Sequence, residues 1–128
     1  MRLLLDTHVA LWAILDDPRL PQPARRLIEE PSNRVIVSAA SVWEISIKHG
    51  LARADMPVSG CDALRFFRLA GYQMLSVTAE HAVAVDGLPQ IHRDPFDRII
   101  VAQALVEPLR LLTHDATLKA YSDTVLLF

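Results

Sequence analysis

The sequence contains a single cysteine, Cys61, in 128 residues. That excludes an internal disulfide and any cysteine-based zinc site. It also lacks a long apolar run: hydrophobic stretches are a few residues each, far short of the roughly 20 that a helix needs to cross a bilayer. The opening Met1-Arg2-Leu3-Leu4-Leu5-Asp6 meets an acid too early for a signal peptide. No repeat, low-complexity tract or linker interrupts the chain. Neither sign of charge dominates: 13 basic and 15 acidic residues give a net charge of −2, which does not mark a nucleic-acid binder by composition. The basic set is eleven Arg and two Lys, and Arg suits bidentate phosphate contacts. With 52% hydrophobic and 22% charged residues, disorder is excluded. One compact domain spanning residues 1–128, with a core that needs no staples, is expected, and a cytoplasmic location with no membrane partner.

Short apolar runs alternate with helical stretches, which is the pattern of an α/β domain. Strands are expected at Arg2–Leu5, Arg34–Val37, Gln73–Val77, Leu109–Thr113 and near Thr124–Leu127. Helices are expected at Thr7–Leu15, Gln22–Glu30, Cys61–Ala70, Ala79–Val85 and Pro95–Val106, with another from Ser38 to about His49 stopped by Gly50. Gly87–Arg93 reads as a loop. Right-handed crossovers make such a sheet parallel and cover both its faces. Ligands of these sheets bind beyond the carboxyl ends of the strands, so the polar residues at those ends matter most.

Five carboxylates fall there. Asp6 follows the first strand, Asp115 lies two residues beyond Thr113, Glu44 sits in the second turn of the helix after strand two, and Asp94 and Asp97 open the helix before strand four. Each has a structural reading of its own: Asp6, Asp94 and Asp115 as helix or turn caps, Asp97 as a first-turn acid, Glu44 as the partner of Lys48 four residues on. Together they form a repelling cluster that a hard cation such as Mg²⁺ or Mn²⁺ would relieve. Setting them aside leaves ten acidic against thirteen basic residues, so the negative charge is concentrated at one place. A metal there could activate water and neutralise a phosphodiester. His8, His92 and His114 each lie within two residues of one of these acids, which makes a histidine ligand or general base conceivable, although no close His-x-x-x-His spacing occurs. Arg93 and Arg98 flank the acidic helix start and are candidates for a substrate phosphate or, for Arg98, an ion pair. Trp12 and Trp43 read as core or interface residues, and Cys61 has no catalytic partner.

The wording around the acids is more specific. The segments Leu3-Leu4-Leu5-Asp6-Thr7-His8-Val9-Ala10-Leu11-Trp12, Ser38-Ala39-Ala40-Ser41-Val42-Trp43-Glu44-Ile45, His92-Arg93-Asp94-Pro95-Phe96-Asp97-Arg98 with Ala102-Gln103-Ala104, and Leu112-Thr113-His114-Asp115 occur in an order and spacing that resembles the PIN domain, most closely the VapC-type toxin ribonucleases. The resemblance covers essentially the whole chain. It implies an α/β/α sandwich with a five-stranded parallel sheet ordered 3-2-1-4-5, and a metal-dependent endoribonuclease acting as a toxin on structured RNA such as transfer or ribosomal RNA. It implies Asp6, Glu44, Asp97 and Asp115 as the catalytic, metal-holding acids for Mg²⁺ or Mn²⁺, Asp94 as an auxiliary acid, and Thr7 and Thr113 as supporting hydroxyls. A homodimer and a cognate antitoxin are implied as partners. Pro108 departs from the Gly common in relatives, which touches a turn and not the site. Three other readings compete. A receiver-like domain wants a Lys after the last strand, which is lacking. An aspartyl-phosphatase wants Asp-x-Asp where this chain has Asp6-Thr7-His8. A PIN scaffold that does not cleave is disfavoured by the full set of acids.

Overall fold

Three successive leucines set the layering. In β1 (Arg2–Leu5), Leu3 and Leu5 point to one face of the sheet and Leu4 to the other, because side chains alternate along a strand. All three are fully buried, each contributing roughly 1.5–3 kcal/mol over an exposed side chain. Leu3 and Leu5 join a core with α1 (Thr7–Ile14), α2 (Gln22–Glu29), part of α3 (Ala39–Gly50) and α4 (Gly60–Leu69). Leu4 joins a second core built on α6 (Pro95–Val106), with α5 (Ala79–Ala84) packed beside it. The computed structural model describes residues 1–128 as this three-layer α/β/α sandwich.

The strands β1, β2 (Arg34–Ser38), β3 (Gln73–Leu75), β4 (Arg110–Thr113) and β5 (Leu126–Leu127) form one parallel sheet in the order 3-2-1-4-5, as expected. Leu5 lies in register with Leu112, and the Asp6 amide extends the ladder by donating to the Leu112 carbonyl at 3.1 Å. The ends of β1 and β4 are therefore level, and connections leave them towards opposite layers. That is the crevice where parallel sheets bind ligands.

The helix starts follow their local capping signals. Ser38, Ser59, Thr78 and Asp94 each accept a main-chain N–H of the first turn. The α6 boundaries match the expectation residue for residue. The edges do not. β3 and β5 are shorter than expected, because an edge strand has a partner on only one side. A 3-10 turn, Val85–Gly87, prolongs α5 into the expected loop. Gly50 is the last residue of α3 and not its stop: Leu51 caps the helix, and Ala52 takes the left-handed conformation at φ 56°. α4 opens at Gly60, one residue early, where a Cβ would lie 1.7 Å from Ser46 Oγ. Glycine thus lets α4 start against α3.

Candidate active site

Asp6 is fixed from both sides. Its Oδ1 caps α1, accepting the main-chain N–H groups of His8 at 2.9 Å and Val9 at 3.4 Å, and its Oδ2 accepts the Thr113 hydroxyl at 2.6 Å. The same Thr113 oxygen accepts the Asp115 amide at 3.0 Å. One hydroxyl at the end of β4 thus links two of the acids. Thr7 acts elsewhere: its hydroxyl donates to Ser41 Oγ at 2.9 Å and ties α1 to α3, supporting no carboxylate directly.

Asp6, Glu44, Asp94, Asp97 and Asp115 line one cleft of about 360 Å³, together with His8, Lys48 and His114. The five acids that are dispersed in sequence are therefore neighbours in space. Asp94 Oδ1 caps α6 through the Phe96 amide at 2.9 Å, and Asp115 Oδ1 caps the 3-10 turn Ala116–Tyr121 through Thr117. Asp97 has no such duty. Its carboxyl is pushed up to about 7, first by burial and then by the charges of Asp6, Asp94 and Glu44, with His92 opposing. Asp115 moves the other way. Burial raises it, but hydrogen bonds from Thr117 and His92 outweigh burial and hold it below its ordinary value.

Glu44 is 2% exposed. It pairs with Lys48, the partner its spacing suggested, but the pair is buried in the cleft wall and not on the surface. Its second oxygen, Oε1, is buried with no partner. An orphaned carboxylate oxygen and a carboxyl raised by burial and by like charge are the marks of a site short of positive charge. Oxygen donors of this kind fit a hard divalent cation.

His92 is the residue that sequence reasoning undervalued. Its Nε2 lies 3.3 Å from Asp97 Oδ2 and 3.1 Å from Asp115 Oδ2, and the three side chains form a group compact enough for a metal. Its Nδ1, however, accepts the Asp94 amide at 3.0 Å. An amide can only donate, so the ring proton sits on Nε2 and is donated to Asp115 Oδ2, with Asp97 close by. In this arrangement His92 is a donor to Asp115 and not a ligand. Arg98 pairs with none of the acids. Its guanidinium holds the segment before α6, donating to the carbonyls of Pro89 at 3.0 Å and Val85 at 3.3 Å. Arg93 is exposed and makes no ion pair. Trp12 is buried against His114, with ring centroids 4.8 Å apart, whereas Trp43 is 62% exposed and packs edge-on against Phe96.

A family model described as PIN domain matches residues 3–123. The chain belongs to the PIN-domain family. That membership displaces the receiver-like and aspartyl-phosphatase readings. The chain is 30% identical over 120 residues to Ribonuclease VapC22 of Mycobacterium tuberculosis (strain ATCC 25618 / H37Rv), covering 92% of this chain and 90% of that protein. Its fold is similar to a solved structure of VapBC2 from Rickettsia felis bound to a DNA fragment from their promoter, with a TM-score of 0.72, 17% identity, and 100% and 98% of the two chains covered. It is also similar to a toxin–antitoxin complex from Klebsiella pneumoniae, with a TM-score of 0.65, 18% identity, and 96% and 94% covered. In this PIN domain, Asp6, Glu44, Asp97 and Asp115 occupy one cleft, with Lys48 and His92 as the cationic and donor groups among them. Lys48 carried one signal in the sequence, its spacing of four from Glu44. His92 carried only proximity to Asp94.

Proposed function

We propose that this chain is a metal-dependent endoribonuclease and the toxin of a toxin–antitoxin pair, cleaving structured RNA. The observation that carries this reading is the convergence of five carboxylates on one cleft at the switch point of the sheet. Family membership and the ribonuclease name of the VapC22 relative support it. Asp6, Asp97, Glu44 through its free Oε1, and Asp115 would hold Mg²⁺ or Mn²⁺, with Asp94 auxiliary. Such a cation supplies water activation and charge neutralisation at a phosphodiester.

The chain's own residues then have distinct tasks. Thr113 fixes the Asp6 carboxylate, and His92 Nε2–H orients the Asp115 oxygen. Arg93, exposed and next in sequence to the cleft residue Asp94, takes the substrate phosphate, because the Arg98 guanidinium is occupied by carbonyls. Partners follow the same reading. Trp43 and Phe96 border an apolar groove with Val77, Val85 and Ile99, a surface suited to a second copy in a homodimer. We place the cognate antitoxin over α1 and α2, near Ile14, with a basic side chain reaching the carboxylates. No helix is long and apolar enough to cross a membrane; the proposed RNA substrate favours a cytoplasmic location.

The test is cleavage of folded RNA by purified protein after EDTA treatment. Activity should vanish and return with Mn²⁺ or Mg²⁺. Full cleavage in EDTA would refute the metal role, and no cleavage with any metal would favour a PIN scaffold that does not cut.

A further inference from the structure

One ammonium group lies inside the acid cleft. Lys48 lines it beside Asp6, Glu44, Asp94, Asp97 and Asp115, and its side chain is only 16% exposed. Its side-chain hydrogen bond goes to Glu44 Oε2. Asp94 Oδ2 lies at 4.0 Å, an attractive distance but beyond hydrogen-bond reach. An ammonium carries three donors, so two donors of this cleft-lining Lys48 have no protein acceptor. The head group is also held against the Phe96 ring, 5.8 Å from its centroid.

Glu44 shows what this cation does to the site. Oε2 is taken by Lys48, while Oε1 is buried and unpartnered. The carboxylate is thus divided between a built-in charge and an open position. In nuclease sites with two metals, the ions lie roughly 3.5–4 Å apart and clamp the attacking and leaving oxygens. Here Glu44 of α3 and Asp94 at the start of α6 already face an ammonium. A lysine is a compact point charge and a competent phosphate binder.

We propose that Lys48 is the fixed second cation of this site. It holds the Glu44–Asp94 side that a second metal would need, and it presents its free N–H donors to a non-bridging oxygen of the scissile phosphate. The site therefore works with one divalent ion. Lys48 acts through its charge and its N–H donors and forms no covalent bond. This assignment rests on the endoribonuclease reading, and its test has one arm that needs no RNA.

In that arm, bound Mn²⁺ is counted by equilibrium dialysis with electron paramagnetic resonance of the free ion. The wild-type chain should bind one tight Mn²⁺, Lys48→Arg also one, and Lys48→Gln two, because Glu44 and Asp94 are released. Two tight ions in the wild type, or an unchanged count in a folded Lys48→Gln, overturns the assignment. Should Lys48→Gln not fold, the counts of the wild type and Lys48→Arg decide alone. In the second arm, at Mn²⁺ that fills only the first site, Lys48→Gln should lower kcat for RNA cleavage by about 100-fold, the scale of losing one transition-state donor, with KM little changed. Undiminished kcat overturns the phosphate contact. A correct ion count with no RNA cleavage by any form, wild type included, overturns the nuclease reading and leaves Lys48 as the cation of a non-cleaving site.

Discussion

Asp97 and Asp115 both lie within 3.3 Å of His92 Nε2, which is hydrogen-bonded to Asp115 alone, and their carboxyls shift in opposite directions. The difference lies in what else each one meets. Asp115 caps a turn and accepts two hydrogen bonds from Thr117, so its charge is satisfied. Asp97 sits in the first turn of α6 with no main-chain donor and faces Asp6, Asp94 and Glu44. One carboxylate serves the fold and is comfortable. The other is held in a repelling environment that folding alone does not relieve, which is how a functional group is kept poised.

The largest effect should separate the two on activity. Asp97→Asn should reduce RNA cleavage on the order of 100- to 1,000-fold, comparable to losing a principal electrostatic group, and Asp6→Asn should match it with the fold intact by circular dichroism. Next comes the pH dependence of metal-free stability. Asp97 binds its proton more tightly folded than unfolded, so its contribution is full below about pH 4 and is lost as pH rises through about 7. Chemical denaturation should therefore show the metal-free protein losing roughly 2–4 kcal/mol between pH 5 and 8, and Asp97→Asn should flatten that slope. Asp115 has the opposite sign: its contribution is present above its unfolded value and lost as pH falls below it.

Thr113→Val should be the next most damaging change. It removes the donor to Asp6 Oδ2 and the acceptor of the Asp115 amide, at about 1–3 kcal/mol for buried groups left unpaired. Smallest are the caps. Asp115→Ala should cost about 1 kcal/mol by urea denaturation, whereas Asp94→Asn should stay within roughly 0.5 kcal/mol because Asn caps as well as Asp. If Asp94→Asn abolished cleavage while Asp97→Asn did not, the roles of the two acids would be exchanged.

The legible parts of this chain are those whose physics is local. Asp94-Pro95 announces a helix start because a capping side chain and a residue needing no amide partner stand side by side, and α6 begins there. Asp6 reads as the end of a strand and as a cap, and it is both. The sheet order was legible through the motif wording, and the strand ends were legible through composition. Lys48 and His92 were not, because their importance arises from approaches across the fold: His92 meets Asp115 over 23 residues of sequence, and Lys48 becomes a site residue only because α3 turns its face into the cleft. Gly50 misled for a related reason. Glycine permits a left-handed stop without requiring one, and Ala52 took that conformation instead.

The central claim is that Asp97 belongs to a carboxylate cluster waiting for a divalent cation. Carbon-detected NMR titration of the Asp97 side-chain carboxyl tests it directly. In metal-free protein the carboxyl should titrate near 7, and saturating Mg²⁺ should bring it down into or below the ordinary carboxylate range. An ordinary value without metal, unmoved by Mg²⁺, would contradict the account.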